Sequence, residues 1–348
     1  MSRMLVTSIG PGSSVQDFGR TGAQRYGLTT SGAMDRFSLA IANTLVGNDT
    51  GAAAIEIGPL GAVLTAQDGA MRIAIAGADR IATIAGRAIP RDTTAIVAEG
   101  ESLTLGPARS GVFSYLAIAG GISGEKVFGS LSVNARAGLG SPYPRPLQAG
   151  DELKVRDAEL WPHELTLTAA PLETGAIRIV FGPQDDEFED DAKTRLVSSD
   201  WQVSATSDRM GYRLEGPPLA HKYGHNIVSD GTVNGSIQVP GSGHPIVLTA
   251  DRGTSGGYPK IATVITADLG RFGQLPPGVP FRFRAVTMAE AQKAARTAAT
   301  WFESLRGLLR EAGTSDLNVA ALAVANVAGV AVSAVDSRTW QTPVTGEP

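Results

Sequence analysis

Short apolar runs broken by glycine and proline dominate the chain. "MRIAIAG", "TAIVAEGESLTLG", "GVFSYLAIAGG", "IRIVFG", "SIQVPGSGHPIVLTA" and "PFRFRAV" place Val, Ile or Phe at strand spacing, with Gly, Pro or Ser where the chain must turn. Each predicts one or two short strands. Long helical patterns do not separate these runs regularly, so a doubly wound parallel sheet is disfavoured. The fold class is mainly β with a few helices, built as barrels or sandwiches.

Three segments switch to the helical period. In "MDRFSLAIANTLVGN", Phe37, Ile41 and Leu45 share one face, Asp35 is placed to cap the start and Gly47 to end it. "DDEFEDDAKTRLV" puts its acids first and its bases later, as the helix dipole favours. "TMAEAQKAARTAATWFESLRGLLREAG" opens on a Thr287–Glu290 capping box and is read as helix to Gly313. Between β-rich runs, "LTLTAAPLETGA" (165–176) reads as a linker. It divides the chain into regions 1–172 and 173–348. The run "LNVAALAVANVAGVAVSA" (317–334) holds two asparagines and is short for a membrane span, so it reads as a packed terminal element.

Composition narrows the partners. A chain of 348 residues with 43% hydrophobic content has ample core for two units. A net charge of −4 argues against a nucleic-acid partner. There is no cysteine, which excludes thiolate catalysis, disulfides and Cys-ligated zinc. No apolar core follows the first residues as a signal peptide would require, so a cytoplasmic protein without a membrane partner is expected. Neither a Walker phosphate loop nor a G-x-G-x-x-G fingerprint is present. "HKYGH" spaces His221 and His225 as metal ligands on a helix would be, but Gly224 and the preceding "EGPPLA" oppose a helix, so no metal site is expected.

Candidate chemistry lies in three polar, glycine-punctuated stretches. "SVQDFGRTGAQRYGLTTSGAMDRF" carries Gln16, Asp17, Arg20 and Asp35 into a helix start, a natural cradle for an anion. Its plainer reading is a long surface loop with a helix cap. "SATSDRMGYRLEG" offers Arg209 and Arg213 for bidentate contacts, or else a hairpin with surface ion pairs at its turn. "NGSIQVPGSGHPIVLTADRGTSGGYPK" brings Gln238, Asp251, Gly256, Gly257, Tyr258 and Lys260 into one segment. Lys260 would place a fixed positive charge at a developing oxyanion, and Asp251 would act as base or orient a cation. A hairpin with solvated charges is the alternative.

These stretches, with "YLAIAGGI", "VFGSLSVNARAGLGS", "GPQDDEF" and "ANVAGVAVSAV", resemble the biotin-dependent carboxyltransferase family, also called the allophanate hydrolase subunit 2 family. The resemblance runs through nearly the whole chain in order. It implies cyclophilin-like β-barrel domains. It implies the role of the C-type subunit of an ATP-dependent 5-oxoprolinase, which opens 5-oxo-L-proline to glutamate. Two alternatives stay open: carboxyl transfer from carboxybiotin on a separate carrier to an amide nitrogen, and non-catalytic binding of a kinase inhibitor. Implied partners are a subunit 1 type protein and a lactam-utilisation type protein, with ATP on the complex. The catalytic set carried over is Lys260, Asp251 and Asp35. Gln16, Arg20, Arg209, Arg213, Gln238, Gly256, Gly257 and Tyr258 are carried over as substrate-binding. With no Met-Lys-Met motif, the chain is expected to carry no biotin of its own. Gly253 and Ser255 stand where the family more often has Gln and Thr, and Asn234 where it has Pro. These departures leave substrate identity open.

Overall fold

The apolar runs become strands of two sheet systems in the computed structural model, which describes residues 2–161, 163–169 and 173–312. The first system holds a six-stranded sheet in the order Glu152–Lys154, Arg3–Ile9, Ala62–Gln67, Ser102–Leu105, Ala82–Ile84, Arg87–Ala88. Facing it is a five-stranded sheet, Ser14–Gln16, Ala54–Ile57, Ser110–Ile118, Met71–Asp79, Thr94–Val97. Strand Ala62–Gln67 alternates buried and half-buried positions, so Ala62, Leu64 and Ala66 enter the core that Met4, Ile73 and Leu116 complete. The two long strands of the second sheet read instead as nearly continuous apolar runs, because both faces are covered. Ala74, Ala76, Tyr115 and Ala117 point the other way, onto helix α1 (Arg36–Leu45).

The second system is one seven-stranded sheet in the order Gln202–Val203, Gly211–Glu215, Ile246–Leu248, Ser236–Gln238, Lys260–Val264, Ile177–Phe181, Phe283–Ala285. Its pairs are antiparallel except the last. Helices α2 (Asp190–Ser198), α3 (Leu269–Gly273) and α4 (Met288–Ser304) accompany it. Its core of Ile179, Trp201, Ile237, Val247 and Phe272 is continuous with the side chains that α1 buries, Leu39, Ala42 and Leu45. Helix α1 is thus the joint between the two systems. The architecture is mainly β with few helices, as the periodicity requires.

Local signals set the helix starts. Asp35 accepts hydrogen bonds from the Phe37 and Ser38 amides, and Gly47 takes the left-handed conformation (φ 77°) past the end of α1. Thr287 and Glu290 form the reciprocal capping box of α4. Two expectations fail. Helix α4 stops at Ser304, not Gly313. A 3₁₀ turn (Leu305–Leu308) buries Leu305 fully, and strand Leu309–Glu311 follows. That strand pairs with Leu165–Leu167, so the start of the supposed linker is also a strand. Each edge supplies the other's backbone partners, and neither sequence shows this alone. The expected boundary near residue 172, Gly313 and the run 317–334 lie outside the described residues. No helix among the described residues is long and apolar enough to cross a membrane.

Candidate functional site

Arg209 precedes strand Gly211–Glu215, and its side chain turns inward where the sequence allowed a surface turn. Nε donates to Asp251 at 2.8 Å, Nη1 to Glu56 at 2.5 Å and Nη2 to the Gly32 carbonyl at 2.8 Å. The surface-pair reading of Arg209 is therefore wrong. Glu56 is fully buried and also accepts from the Tyr115 hydroxyl (2.7 Å) and the Met34 amide (2.9 Å). Burial opposes the charge on Arg209, but Glu56 and Asp251 outweigh it and hold the guanidinium above its ordinary value. Burial, then the Glu56 charge, pushes the Tyr115 phenol well above its ordinary value, so it stays a neutral donor.

Arg209 and Asp251 face a cleft of about 650 Å³ between the two sheet systems. Its walls include Phe113 and Val203, which are apolar, and Asn134 and Arg136, which are polar. An apolar cleft with a charged end is the usual form of a small-molecule site, because low polarity strengthens every charge contact inside it.

The polar segment before α1 is a scaffold more than an open cradle. Asp17 accepts from the hydroxyls of Ser130 (2.6 Å) and Ser132 (2.5 Å) and from the Leu131 and Gly19 amides. Gln16 is buried, with Nε2 donating to Ser14 and to the Val133 carbonyl. Arg20 is buried and donates to the Ser132 carbonyl, leaving Nε and Nη1 without partners among the described residues. Asp35 takes the two cap amides, the Ser38 hydroxyl (2.6 Å) and the Gln274 amide (3.0 Å). That full set of donors places it as a helix cap that also ties α1 to α3.

Gln238, Lys260 and the glycine loop of the third stretch form a separate cluster. Lys260 lies opposite Gln238 in the ladder, is 2% exposed, and brings Nζ to 3.2 Å from Asp230. The Asp230 carboxyl, held first by Lys260 and then by Gln184, lies below the usual range. Asp230–Gly231 pairs with Ser255–Gly256, which brings the glycine loop over this cluster. A Cβ on Gly256 would stand 3.3 Å from Gln238 Oε1. Tyr258 is partly exposed at the loop's end, and Arg213 is exposed on its strand, away from both clusters. Asp251 and Lys260 thus serve different clusters, at opposite ends of strands Ile246–Leu248 and Lys260–Val264.

Sequence reasoning missed Glu56, Tyr115, Asp230 and Gln184. Glu56 reads as one more strand residue in "AAIEIG", and only an arginine 153 positions away reveals its role. The string Gly253–Thr254–Ser255–Gly256–Gly257 has the spacing of a nucleophile elbow. Yet Ser255 is exposed in a two-residue ladder, not at a strand-to-helix turn, and no histidine hydrogen-bonds to it among the described residues. No group of three or more His, Asp or Glu suited to a metal ion occurs among the described residues.

A family model described as "Carboxyltransferase domain, subdomain A and B" matches residues 26–285. The chain belongs to this carboxyltransferase-domain family. Along 292 residues it is 37% identical to the C subunit of 5-oxoprolinase from Escherichia coli, covering 84% of this chain and 94% of that protein. The counterpart from Haemophilus influenzae, which carries the same name, is 34% identical, with 86% and 96% covered. Among solved structures, Kluyveromyces lactis urea carboxylase superposes with a TM-score of 0.79 at 28% identity. That match covers 90% of this chain but only 30% of the urea carboxylase.

Proposed function

We propose that the chain is the C-type member of a multi-subunit 5-oxoprolinase and acts within the complex. One observation carries this reading: the match to the Escherichia coli 5-oxoprolinase protein runs through 94% of that protein's length, whereas urea carboxylase is matched over 30%. A lactam is a poor electrophile. Phosphoryl transfer from ATP to its amide oxygen leaves ADP and an activated carbonyl carbon. Water then attacks that carbon, the C–N bond opens, and glutamate and phosphate leave. Lys260 would stabilise charge on the oxygen, and Asp251, held by Arg209 at the other end of the strands, would fix the frame of the cleft rather than touch the reacting group. ATP is assigned to the complex, since the sequence holds no glycine-rich phosphate loop. The partners under this reading are the subunit 1 type and lactam-utilisation type proteins.

The test is reconstitution. All three proteins are mixed with ATP and 5-oxo-L-proline, and glutamate is measured. Release that requires this chain supports the reading. No release, against a working complex from another source, sinks it. Carboxylation of an amide by a separate carboxybiotin carrier would move the function to carboxyl transfer.

A further inference from the structure

Among the described residues, four arginines are buried to at least nine-tenths: Arg20, Arg72, Arg80 and Arg252. Three are held by neutral acceptors. Arg20 donates to the Ser132 carbonyl, Arg72 to the His163 and Trp161 carbonyls, and Arg80 to Ser114 and the Gly106 carbonyl. Arg252 is 3% exposed, and its Nε and Nη1 are unpartnered; its guanidinium makes no hydrogen bond or ion pair among the described residues. A buried cation without a counter-charge or acceptor is strongly destabilising. Burial lowers its proton affinity, and no acid offsets this, unlike Arg20, which feels Asp17 and Asp251.

Its position says what belongs there. Arg252 follows Asp251, the cleft residue that holds Arg209, and opens the loop to Lys260. The loop is fixed around it. The Thr29 hydroxyl donates to the Ala250 carbonyl at 2.9 Å, the Arg252 amide bonds to Thr249, and the Thr232 amide and hydroxyl hold Thr254 and Gly253. From Gly253 to Gly257 the loop has no side chain larger than threonine, and Gly253 and Ser255 are exposed. With no partner on any of its three nitrogens among the described residues, the guanidinium keeps its Nε–Nη2 edge free, the fork that matches two oxygens of one compact anion.

We infer that Arg252 is the receptor for a compact oxyanion, a carboxylate or phosphoryl group, bound at the loop between Asp251 and Lys260. This rests on the proposed function only for the choice of carboxylate probe. In a 5-oxoprolinase the natural candidate is the carboxylate of the lactam acid. Arg252 would then fix the ring while other groups work on the amide.

The test uses the full chain, alone and in the reconstituted complex, with calorimetric titration of three probes: 5-oxo-L-proline, 2-pyrrolidinone, which is the same ring without the carboxylate, and inorganic phosphate. The native protein should bind 5-oxo-L-proline or phosphate, and 2-pyrrolidinone at least tenfold more weakly. Arg252→Gln should weaken the anionic probe at least tenfold, and Arg252→Lys should restore part of it. Without ligand, Arg252→Gln should melt no lower than the native chain, since it removes an uncompensated buried charge; a purely structural arginine would give a lower Tm. Phosphate bound in an Arg252-dependent way without 5-oxoproline turnover keeps the anion site and rejects the proposed reaction. Equal affinities in native protein and Arg252→Gln, or no binding of either anion in any preparation, overturn the inference.

Discussion

Two charged clusters carry the candidate chemistry, and they are built on opposite principles. Around Arg209 every nitrogen has an acceptor: two carboxylates and a carbonyl, with a tyrosine and an amide donating to the other oxygen of Glu56. Around the glycine loop the cations are under-supplied. Among the described residues Lys260 has only the half-exposed Asp230, and the Arg252 guanidinium has no partner. A satisfied network fixes a geometry, whereas an unsatisfied one is ready for a ligand. The first cluster therefore reads as the strut that joins the sheet systems, since Glu56 comes from one and Arg209 and Asp251 from the other. The second reads as the place where charge is exchanged with a substrate.

The largest effect should come from cutting the strut. Glu56→Gln leaves Arg209 with one carboxylate in a buried setting. Breaking such a pair costs about 3–5 kcal/mol. Chemical denaturation monitored by tryptophan fluorescence measures the loss. A change below about 1 kcal/mol would mean that the Arg209 charge is compensated elsewhere, and the contrast between the clusters would collapse.

Lys260→Met should do the reverse: stability nearly kept, turnover lost. Asp230 is 52% exposed, so water can replace the ammonium it loses. If Lys260 stabilises developing charge, kcat in the reconstituted complex should fall by about 10²–10³. Unchanged turnover would remove Lys260 from the machinery.

A second satisfied carboxylate tests the principle outside the site. Asp268 is fully buried and accepts from Arg178 at 2.6 Å and Arg271 at 2.9 Å. Burial works against its charge, but these arginines and the Arg178 amide hold the carboxyl below its ordinary 3.8. The folded-state value is depressed, so the stability it contributes is present above pH 3.8 and is lost as pH falls through the lower folded value. Asp268→Asn should cost about 1–3 kcal/mol at neutral pH and flatten the acid side of the stability profile. A profile of the native steepness would place the acid sensitivity elsewhere.

Legibility follows distance along the chain. The caps at Asp35 and Thr287 are readable because each motif spans four residues. The strand-rich class is readable from "MRIAIAG" and its kin. Glu56 and the Leu165–Leu167 strand are not, because each is defined by a partner more than 140 positions away. Arg209 stands out in the sequence as a charged candidate, but a surface turn and a buried strut share the same string "SDRMG". The split between Asp251 and Lys260, nine residues apart, depends on sheet register, which local sequence does not carry.

The smallest effect on stability should come from Gly257, and it probes the ligand side most directly. Gly257 does not adopt the left-handed conformation, and a Cβ there would meet the Ile227 carbonyl at 3.6 Å and Ser229 Oγ at 3.7 Å, ordinary contact distances. The fold alone therefore does not demand glycine. Gly257→Ala should leave stability unchanged or raise it by about 0.4–1 kcal/mol through the unfolded chain. If bare backbone is kept so that a substrate can come close, KM should still rise severalfold while Tm holds or climbs. Native kinetics in this variant would assign the glycine to the turn, and the loop's function would then rest on Arg252 and Lys260 alone.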